Sequence, residues 1–365
     1  MERTKVKNLA RQIRGVSYKP EDLHDSLDDT AVILLRANNI DEGKINFDDV
    51  VYVDKSKVSN EQYLKVGDVL ICASSGSKQL VGKAASVDFD TPCTFGAFCK
   101  VVRPNNDVAD YLGKYFQSGV YRRKISEVAI GANINNIRNE HIDSLDIPIY
   151  ESDQVRGIVE KIGLLQNIID NRKCELSKLD ELIKARFVEM FGDVVLNTKN
   201  WENYTWDNVL TIKNGKNQKD VENPKGIYPI CGSGGIMNYA DDYITESNSV
   251  IIGRKGNINN PILMREKFWN VDTAFGLEPN TTVLNVDYLF MFCNFFDFEI
   301  LNKAVTIPSL TKADLLKIII PIPPIELQER FADFVAQVDK SKVVVQKALD
   351  EAQILFDSLM QEYFG

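Results

Sequence analysis

Ile320-Pro321-Ile322-Pro323-Pro324, followed by Glu326-Leu327-Gln328-Glu329-Arg330 and closed by Glu362-Tyr363-Phe364-Gly365, ends the chain, and a weaker copy of this stretch lies in its middle. The earlier copy reads Ile147-Pro148-Ile149, then Gln154-Val155-Arg156, then Glu189-Met190-Phe191-Gly192. Ile147 and Ile320 are 173 positions apart, as are Gly192 and Gly365, whereas Gln154 and Gln328 are 174 apart, so one residue is inserted just after the proline. A period near half of the 365 residues implies two tandem units, each a variable region followed by a long helix.

The helical part of each copy has a regular apolar stripe. In 152–191 it runs through Val155, Ile158, Ile162, Leu165, Ile169, Leu176, Leu179, Ile183 and Met190, interrupted only at Arg172 and Arg186. Alternating steps of three and four predict a coiled-coil helix, and 40 residues at 1.5 Å each make it about 60 Å long. In 325–364 the stripe uses Phe331, Phe334, Val338, Val345, Ala348, Ala352, Leu355 and Leu359, with Ser341 as its weak position. Phe187, Phe191, Leu349 and Phe356 lie outside these seams and either broaden them or dock a partner helix.

Composition narrows the function classes. No apolar run approaches the ~18–20 residues that span a membrane, and Met1–Arg14 lacks the apolar core of a secretory signal. The cysteines at 72, 93, 99, 174, 231 and 293 include no Cys-x-x-Cys pair, as expected of reduced thiols in a cytoplasmic protein. The net charge is −9, and residues 323–365, with 4 basic and 8 acidic side chains, are the most acidic piece. No segment is broadly basic, so any DNA binding must use local loops, with a partner supplying further positive surface.

In the first variable region, Ala31–Leu35 and Asp49–Val53 read as strands, and Leu64–Cys72 as a turn feeding a buried strand. That strand runs into the polar loop Ser74-Ser75-Gly76-Ser77-Lys78, followed by Gly82-Lys83. A nucleotide phosphate loop needs four residues between its glycines and Ser or Thr after the lysine; here five intervene and Ala84 follows. The loop is either a plain hairpin or a DNA-backbone contact using Ser75, Ser77, Lys78 and Lys83. Residues 110–126 read as a helix carrying the densest basic cluster, Arg122-Arg123-Lys124, which is either a solvated helix end or a phosphate clamp. Asn133, Asn135, Asn136 and Arg138 follow in a turn; Asn pairs with adenine and Arg with guanine, although Asn-rich turns also form for conformational reasons.

The second variable region differs in sequence but repeats landmarks. Ser249-Val250-Ile251-Ile252 parallels Asp68-Val69-Leu70-Ile71, Ala274-Phe275-Gly276 parallels Thr94-Phe95-Gly96, and Tyr288-Leu289 parallels Tyr111-Leu112. Its glycine-rich loops are Asn214-Gly215-Lys216-Asn217, Cys231-Gly232-Ser233-Gly234-Gly235 and Gly253-Arg254-Lys255-Gly256-Asn257. None has the dinucleotide spacing. Tight turns explain the glycines, but Arg254-Lys255 between two of them suits contact with nucleic acid. Lys216, Asn217, Ser233, Arg254, Lys255 and Asn257 are the candidate DNA contacts here.

Catalytic constellations are missing. His24 and His141 are the only histidines and stand near no cysteine pair, so neither a zinc site nor a Ser-His-Asp triad is supported. There is no Asn/Asp-Pro-Pro-Tyr/Phe motif of an amino-methyltransferase, and no nuclease arrangement of paired carboxylates with Glu-x-Lys stands out. The chain reads as a recognition protein, not an enzyme.

Taken together, the sequence resembles the specificity subunit of type I restriction-modification systems across essentially its whole length. The most specific piece is Ile-Pro-Ile-Pro-Pro with Glu-Leu-Gln-Glu-Arg at 320–330 before a long helix, supported by the copy at 147–156, by Gly15-Val16-Ser17-Tyr18-Lys19 and by Lys65–Leu70. Gly232–Gly235 and Gly253–Asn257 resemble glycine loops of the family's target-recognition domains, whereas Tyr150 stands where the family often has a second proline. The resemblance implies an α+β fold with two mixed α/β target-recognition domains, 1–150 and 193–322, separated by two long antiparallel coiled-coil helices, 151–192 and 323–365, with pseudo-twofold symmetry. Each domain would read one half of a bipartite, asymmetric site on double-stranded DNA, and the helices would set the spacer and dock two DNA-methyltransferase subunits. S-adenosylmethionine, ATP and Mg2+ would reside on those and on restriction/translocase subunits, with no cofactor on this chain. The competing reading is a non-catalytic coiled-coil scaffold with two protein-binding heads, which the acidic charge favours and the basic loops oppose.

Overall fold

The computed structural model describes residues 2–365 apart from Lys78, Asn106, Asp107, residues 130–135 and Val305. In chain order the elements used below are β1 (Ala10–Arg14), β2 (Ala31–Leu35), β3 (Val51–Asp54), β4 (Val69–Cys72), β5 (Ala84–Ser86), β6 (Cys93–Phe95), β7 (Cys99–Pro104), α1 (Ala109–Gln117), α2 (Gly119–Ala129), β8 (Asp146–Pro148) and α3 (Ser152–Phe191). They continue as β9 (Leu210–Asn214), β10 (Tyr228–Gly232), β11 (Gly235–Ala240), β12 (Ser249–Gly253), β13 (Ile262–Met264), β14 (Trp269–Asn270), β15 (Ala274–Pro279), α4 (Val286–Phe295), β16 (Ile319–Ile322) and α5 (Ile325–Phe364). Two compact units result: Met1–Arg172 with Ala348–Gly365, and Lys173–Lys347. The unit boundaries fall inside the two long helices.

In the first unit β1-β7-β4-β5 form an antiparallel sheet, and β6-β2-β3 belong to a second in which β6 runs parallel to β2. β4 is buried along its whole length. Val69 and Ile71 enter a core with α1, whereas Leu70 and Cys72 enter another with β2 and β6. Burial on both faces explains why this strand reads as an unbroken apolar run instead of an alternating one. Asp68, immediately before it, is 1% exposed and is gripped by Arg103 in a fork, Nε to Oδ1 at 2.8 Å and Nη2 to Oδ2 at 2.7 Å. The helix expected over 110–126 is broken at Ser118, whose extended backbone separates α1 from α2.

The first core also contains α1's Tyr111, Leu112, Tyr115 and Phe116, α3's Ile158, Ile162, Leu165 and Ile169, and α5's Ala352, Phe356, Met360 and Phe364. Tyr150 is built into this core: its hydroxyl donates to the Tyr363 carbonyl at 3.0 Å and its ring meets Tyr111 edge-on.

In the second unit β9-β15-β12-β13 form an antiparallel sheet, and β11-β10-β14 a second in which β10 runs parallel to β14. Val250 and Ile252 of β12 enter the main core with α4, Phe187, Phe191 and Phe331, whereas Ile251 joins Cys231, Met264 and Phe268. This repeats the two-sided burial of β4.

Three sequence expectations change here. Both long helices have the predicted bounds, but Leu355 is 52% exposed, and the buried positions near the end of α5 are Ala352, Phe356, Met360 and Phe364. Phe187 and Phe191 of α3 are likewise fully buried, and Leu349 packs against its unit's core, so these residues broaden the seams and are not free for a partner. A helix of 3.6 residues per turn drifts about 20° per heptad against a 3.5 repeat, so a straight helix moves its buried stripe toward steps of four. The third change concerns the landmarks. β15 lies between β9 and β12 as β7 lies between β1 and β4, so Ala274-Phe275-Gly276 corresponds to Cys99-Lys100-Val101 and not to Thr94-Phe95-Gly96. A shared Phe-Gly pair misaligned two neighbouring strands, because a dipeptide does not specify which strand it pairs with. The Ser249–Ile252 and Asp68–Ile71 match does agree with the register.

Candidate nucleic-acid interface

In the second unit the ends of β9 and β12 and the start of β15 share one sheet edge, since Asn214 pairs with Phe275 and Gly253 with Ala274. The segment Asn270–Thr273, which enters β15, is the hub of that edge. Lys216 N donates to Asn270 O at 3.0 Å, Val271 N to Cys231 O at 3.0 Å, and Arg254 N to Thr273 O at 2.8 Å. Asn270 is fully buried and already bonded, accepting from Thr245 Oγ1 and donating to Lys213 O and Ala274 O, so it holds the hub and is not a DNA reader. Gly215 is required because a Cβ there would sit 1.8 Å from Val271 O.

This edge brings together all six residues selected in the second variable region. Lys216, Asn217, Lys255 and Asn257 are exposed, and Ser233 and Arg254 are half-buried. Ser233 lies beside Gly253, its Cβ 3.1 Å from where a Cβ on that glycine would be. Arg254 is braced by the Asp272 carbonyl at 3.5 Å and by the Phe275 ring, 5.7 Å from its guanidinium carbon. Among the described residues the ammonium groups of Lys216 and Lys255 meet no carboxylate. Unpaired cations at a loop edge keep their charge available for phosphate.

Sequence reasoning missed a further segment of this edge, residues 308–310. Lys255 bridges Ser309, Gly256 N donates to Pro308 O at 3.0 Å, and Leu310 N donates to Arg254 O at 2.9 Å. Asn302 Oδ1 shapes this loop by accepting from Ala304 N and Ser309 N. The first unit has a matching arrangement, with Ser74 bridging Asn136 and Ile137 N donating to Ala73 O at 2.7 Å. The signal lay in position: both segments directly precede the short helix that leads into the Ile-Pro strand.

In the first unit Ser75 is half-buried and accepts from Ser77 N at 3.2 Å, Ser77 is exposed, and Lys83 lies 3.7 Å from Asp41. Lys78, Asn133 and Asn135 lie outside the described residues. Arg138 is exposed, begins a short helix and reaches Glu140 at 3.4 Å. The Arg122-Arg123-Lys124 cluster does not assemble into one clamp. Arg122 donates to Val81 O at 2.8 Å and Gln79 O at 3.1 Å, Arg123 to the Gln361 side chain, and Lys124 to Asp146 O at 3.3 Å. Successive helical residues point about 100° apart, so neighbours in sequence meet different acceptors. Burial also holds the Lys124 ammonium below its usual range.

Among the described residues no group of three or more His, Cys, Asp or Glu side chains is placed to hold a metal ion, and no helix is long and apolar enough to cross a membrane. Burial pushes the Cys93, Cys99 and Cys231 thiols up to about 12, which suits core packing and not nucleophilic work.

Residues 198–352 match the model of the type I restriction modification DNA specificity domain. The specificity subunit of the type I restriction enzyme EcoKI from Escherichia coli K12 is 34% identical over 239 residues, covering 62% of this chain and 51% of that protein. The StySPI specificity subunit from Salmonella potsdam is 38% identical over 180 residues, covering 49% of this chain and 39% of that protein. The chain thus spans about half the length, or less, of these two curated relatives. The solved S subunit of a type I restriction-modification system from M. genitalium superposes with a TM-score of 0.60 at 14% identity, over 100% of this chain and 96% of that one, a likeness of fold. Residues 198–352 thus carry the match to the DNA specificity domain, and the chain is similar to type I specificity subunits in sequence over part of its length and in fold over all of it.

Proposed function

We propose that the chain is the non-catalytic DNA-recognition subunit of a type I restriction-modification complex, and that each globular region reads one half of a split site on double-stranded DNA. The observation that carries this is the meeting of Lys216, Asn217, Ser233, Arg254, Lys255 and Asn257 at one sheet edge of the second unit, with unpaired lysines among them. Phosphate contacts from Lys216, Lys255 and Arg254 would set the register, and Asn217, Ser233, Asn257 and Ser309 would reach base edges. In the first unit the corresponding edge is formed by Ser75, Ser77, Lys83 and Asn136, while Arg122 organises the loop from behind.

On this reading residues 1–150 and 193–322 are the target-recognition domains, and 151–192 and 323–365 are antiparallel coiled-coil helices that repeat around a pseudo-twofold axis. Helices of about 60 Å are near two turns of B-DNA in length, which suits a spacer between half-sites. Supporting the repeat, β1-β7-β4-β5 and β9-β15-β12-β13 have the same order and antiparallel sense. The exposed apolar residues on the helices, including Leu164, Ile168, Val343 and Ile354, are the candidate docking positions for two methyltransferase subunits. Those subunits would bring S-adenosylmethionine, flip the target adenine and complete the positive surface that this acidic chain lacks. Restriction/translocase subunits would bring ATP and Mg2+.

The decisive experiment is long-read sequencing of DNA from cells co-expressing this chain with its neighbouring methyltransferase subunit. A split, non-palindromic motif with N6-methyladenine on both strands, absent without this chain, is the expected result. A palindromic motif would count against two different half-site readers, and failure to form any complex would favour the scaffold reading.

A further inference from the structure

We propose that Phe98 is a base-contacting residue of the first unit, its phenyl ring meeting the apolar surface of a base, either a thymine methyl group or the face of an unstacked base. This role rests on the DNA-reading function proposed above and names a residue that sequence reasoning passed over.

Phe98 is 72% exposed, whereas the next most exposed aromatic among the described residues, Tyr239, is at 42%. It does not hang on a loose loop. Gly96-Ala97-Phe98 is a short turn between β6 and β7, whose residues Cys93, Phe95, Cys99 and Val101 are buried in one core. Cys99 N donates to Gly96 O at 2.8 Å, closing the turn, and Phe98 O accepts from Ala73 N at 2.9 Å and Ser74 N at 3.0 Å. The backbone is pinned on both sides while the ring is left in solvent. A large apolar side chain presented in this way contributes little to folding and suits a contact surface.

Its place on the edge points to the partner. Ala73 and Ser74 lead directly into the loop with Ser75, Ser77 and Lys83, and Ser74 bridges Asn136. In the second unit the residue in the same register is Thr273, whose carbonyl accepts from Arg254 N at 2.8 Å and Lys255 N at 3.4 Å. The two edges thus share a backbone scheme but present a phenyl ring in one and a hydroxyl in the other. Phosphates are alike along DNA, so a position that only touched phosphate would want a donor in both units, whereas bases differ between half-sites. A phenyl ring offers phosphate nothing, but it packs on a thymine methyl group or stacks on a base.

The test uses the full chain assembled with its methyltransferase partner and the DNA site read from the methylome. Phe98→Ala should weaken binding to that site by about tenfold and relax the methylated motif in one half only. Binding to unrelated DNA and the salt slope should be unchanged, because no counterion is released by a phenyl ring. Phe98→Leu, which keeps an apolar side chain, should lie between the two and guards against a folding artefact. Two probes then identify the contact in that half-site. If deoxyuridine for thymidine weakens the parent but not Phe98→Ala, the ring meets a methyl group. If 2-aminopurine brightens with the parent but not the variant, it meets an unstacked base. An unchanged motif and affinity in Phe98→Ala would overturn the proposal, as would a loss with no dependence on either probe or an equal loss on unrelated DNA. If the parent complex itself produces no sequence-specific methylation, the DNA-reading function fails first.

Discussion

The hydroxyl of Tyr111 donates a hydrogen bond to the carbonyl oxygen of Pro148 at 3.0 Å, tying α1 to the strand that leads into the first long helix. Tyr288 makes the same bond to Pro321 at 2.7 Å before the second. Both phenols are buried, and desolvation pushes them well above their usual range, so they remain protonated donors throughout neutral and mildly alkaline pH. Replacing either with phenylalanine leaves a proline carbonyl without its buried donor. Tyr111→Phe and Tyr288→Phe should each cost about 1–3 kcal/mol, read as a lower urea midpoint with an unchanged slope.

The Asp68–Arg103 pair is buried and doubly hydrogen-bonded, with Arg103 also donating to Tyr63 O at 2.8 Å. Asp68→Ala should destabilise the first unit by roughly 3–5 kcal/mol, because it strands a guanidinium in the core. In the second unit the same register position is Ser249. The fold therefore accepts an uncharged residue there, and the double change Asp68→Ser with Arg103→Met should be less damaging than Asp68→Ala alone. Denaturant titration of the three variants decides this; a double variant no better than the single would sink the argument.

Gly215→Ala drives a methyl group toward Val271 O, where only 1.8 Å is available. The hub Asn270–Thr273 has to move, and with it the loops carrying Lys216, Ser233 and Arg254. We expect DNA binding to fall by more than about tenfold, with a smaller change in melting temperature. Comparable loss of fold and binding would mean that the hub is a stability element only.

Lys255→Ala and Lys216→Ala should each lower the slope of log affinity against log salt by about one, with little change in sequence preference. Arg254→Ala should do the same and also reduce stability, since its guanidinium is braced on Phe275. Binding isotherms at several salt concentrations, beside thermal melts, separate the two behaviours.

Cys174 is exposed on α3, whereas the other five cysteines are buried. Burial raises the Cys93, Cys99 and Cys231 thiols to about 12, so at pH 8 their reactive thiolate is scarce as well as inaccessible. Iodoacetamide should therefore add one group to the native chain and six after unfolding, countable by mass spectrometry. Rapid labelling of a second cysteine in the native state would contradict the packing described.

Much of the architecture was legible because it rests on local periodicity. The bounds of α3 and α5 follow from their apolar stripes and from the Ile-Pro and Phe-Gly pairs that flank them, and β4 and β12 follow from apolar runs of four and three residues. The stripes failed only where helical drift accumulates, exchanging Leu355 for Phe356. The residues selected in the second unit lie together because Gly215, Gly232 and Gly253 mark tight turns at strand ends that share an edge. Arg122-Arg123-Lys124 do not converge, because a run of charge says nothing about which acceptor each side chain meets.

The sequence alone determined that there are two units and where their long helices begin and end, since repeats and helical period are properties of the order of residues. Tertiary structure alone decided which loops meet. Strand pairing joins residues distant in the chain, as with Lys255 and Ser309 or Ser74 and Asn136, and a one-residue slip would turn every side chain to the opposite face. It also decided that Phe98 stands in solvent while Phe95, three residues earlier, is fully buried. Both are phenylalanine, and only the strand and the turn on which they sit distinguish a core residue from a surface one.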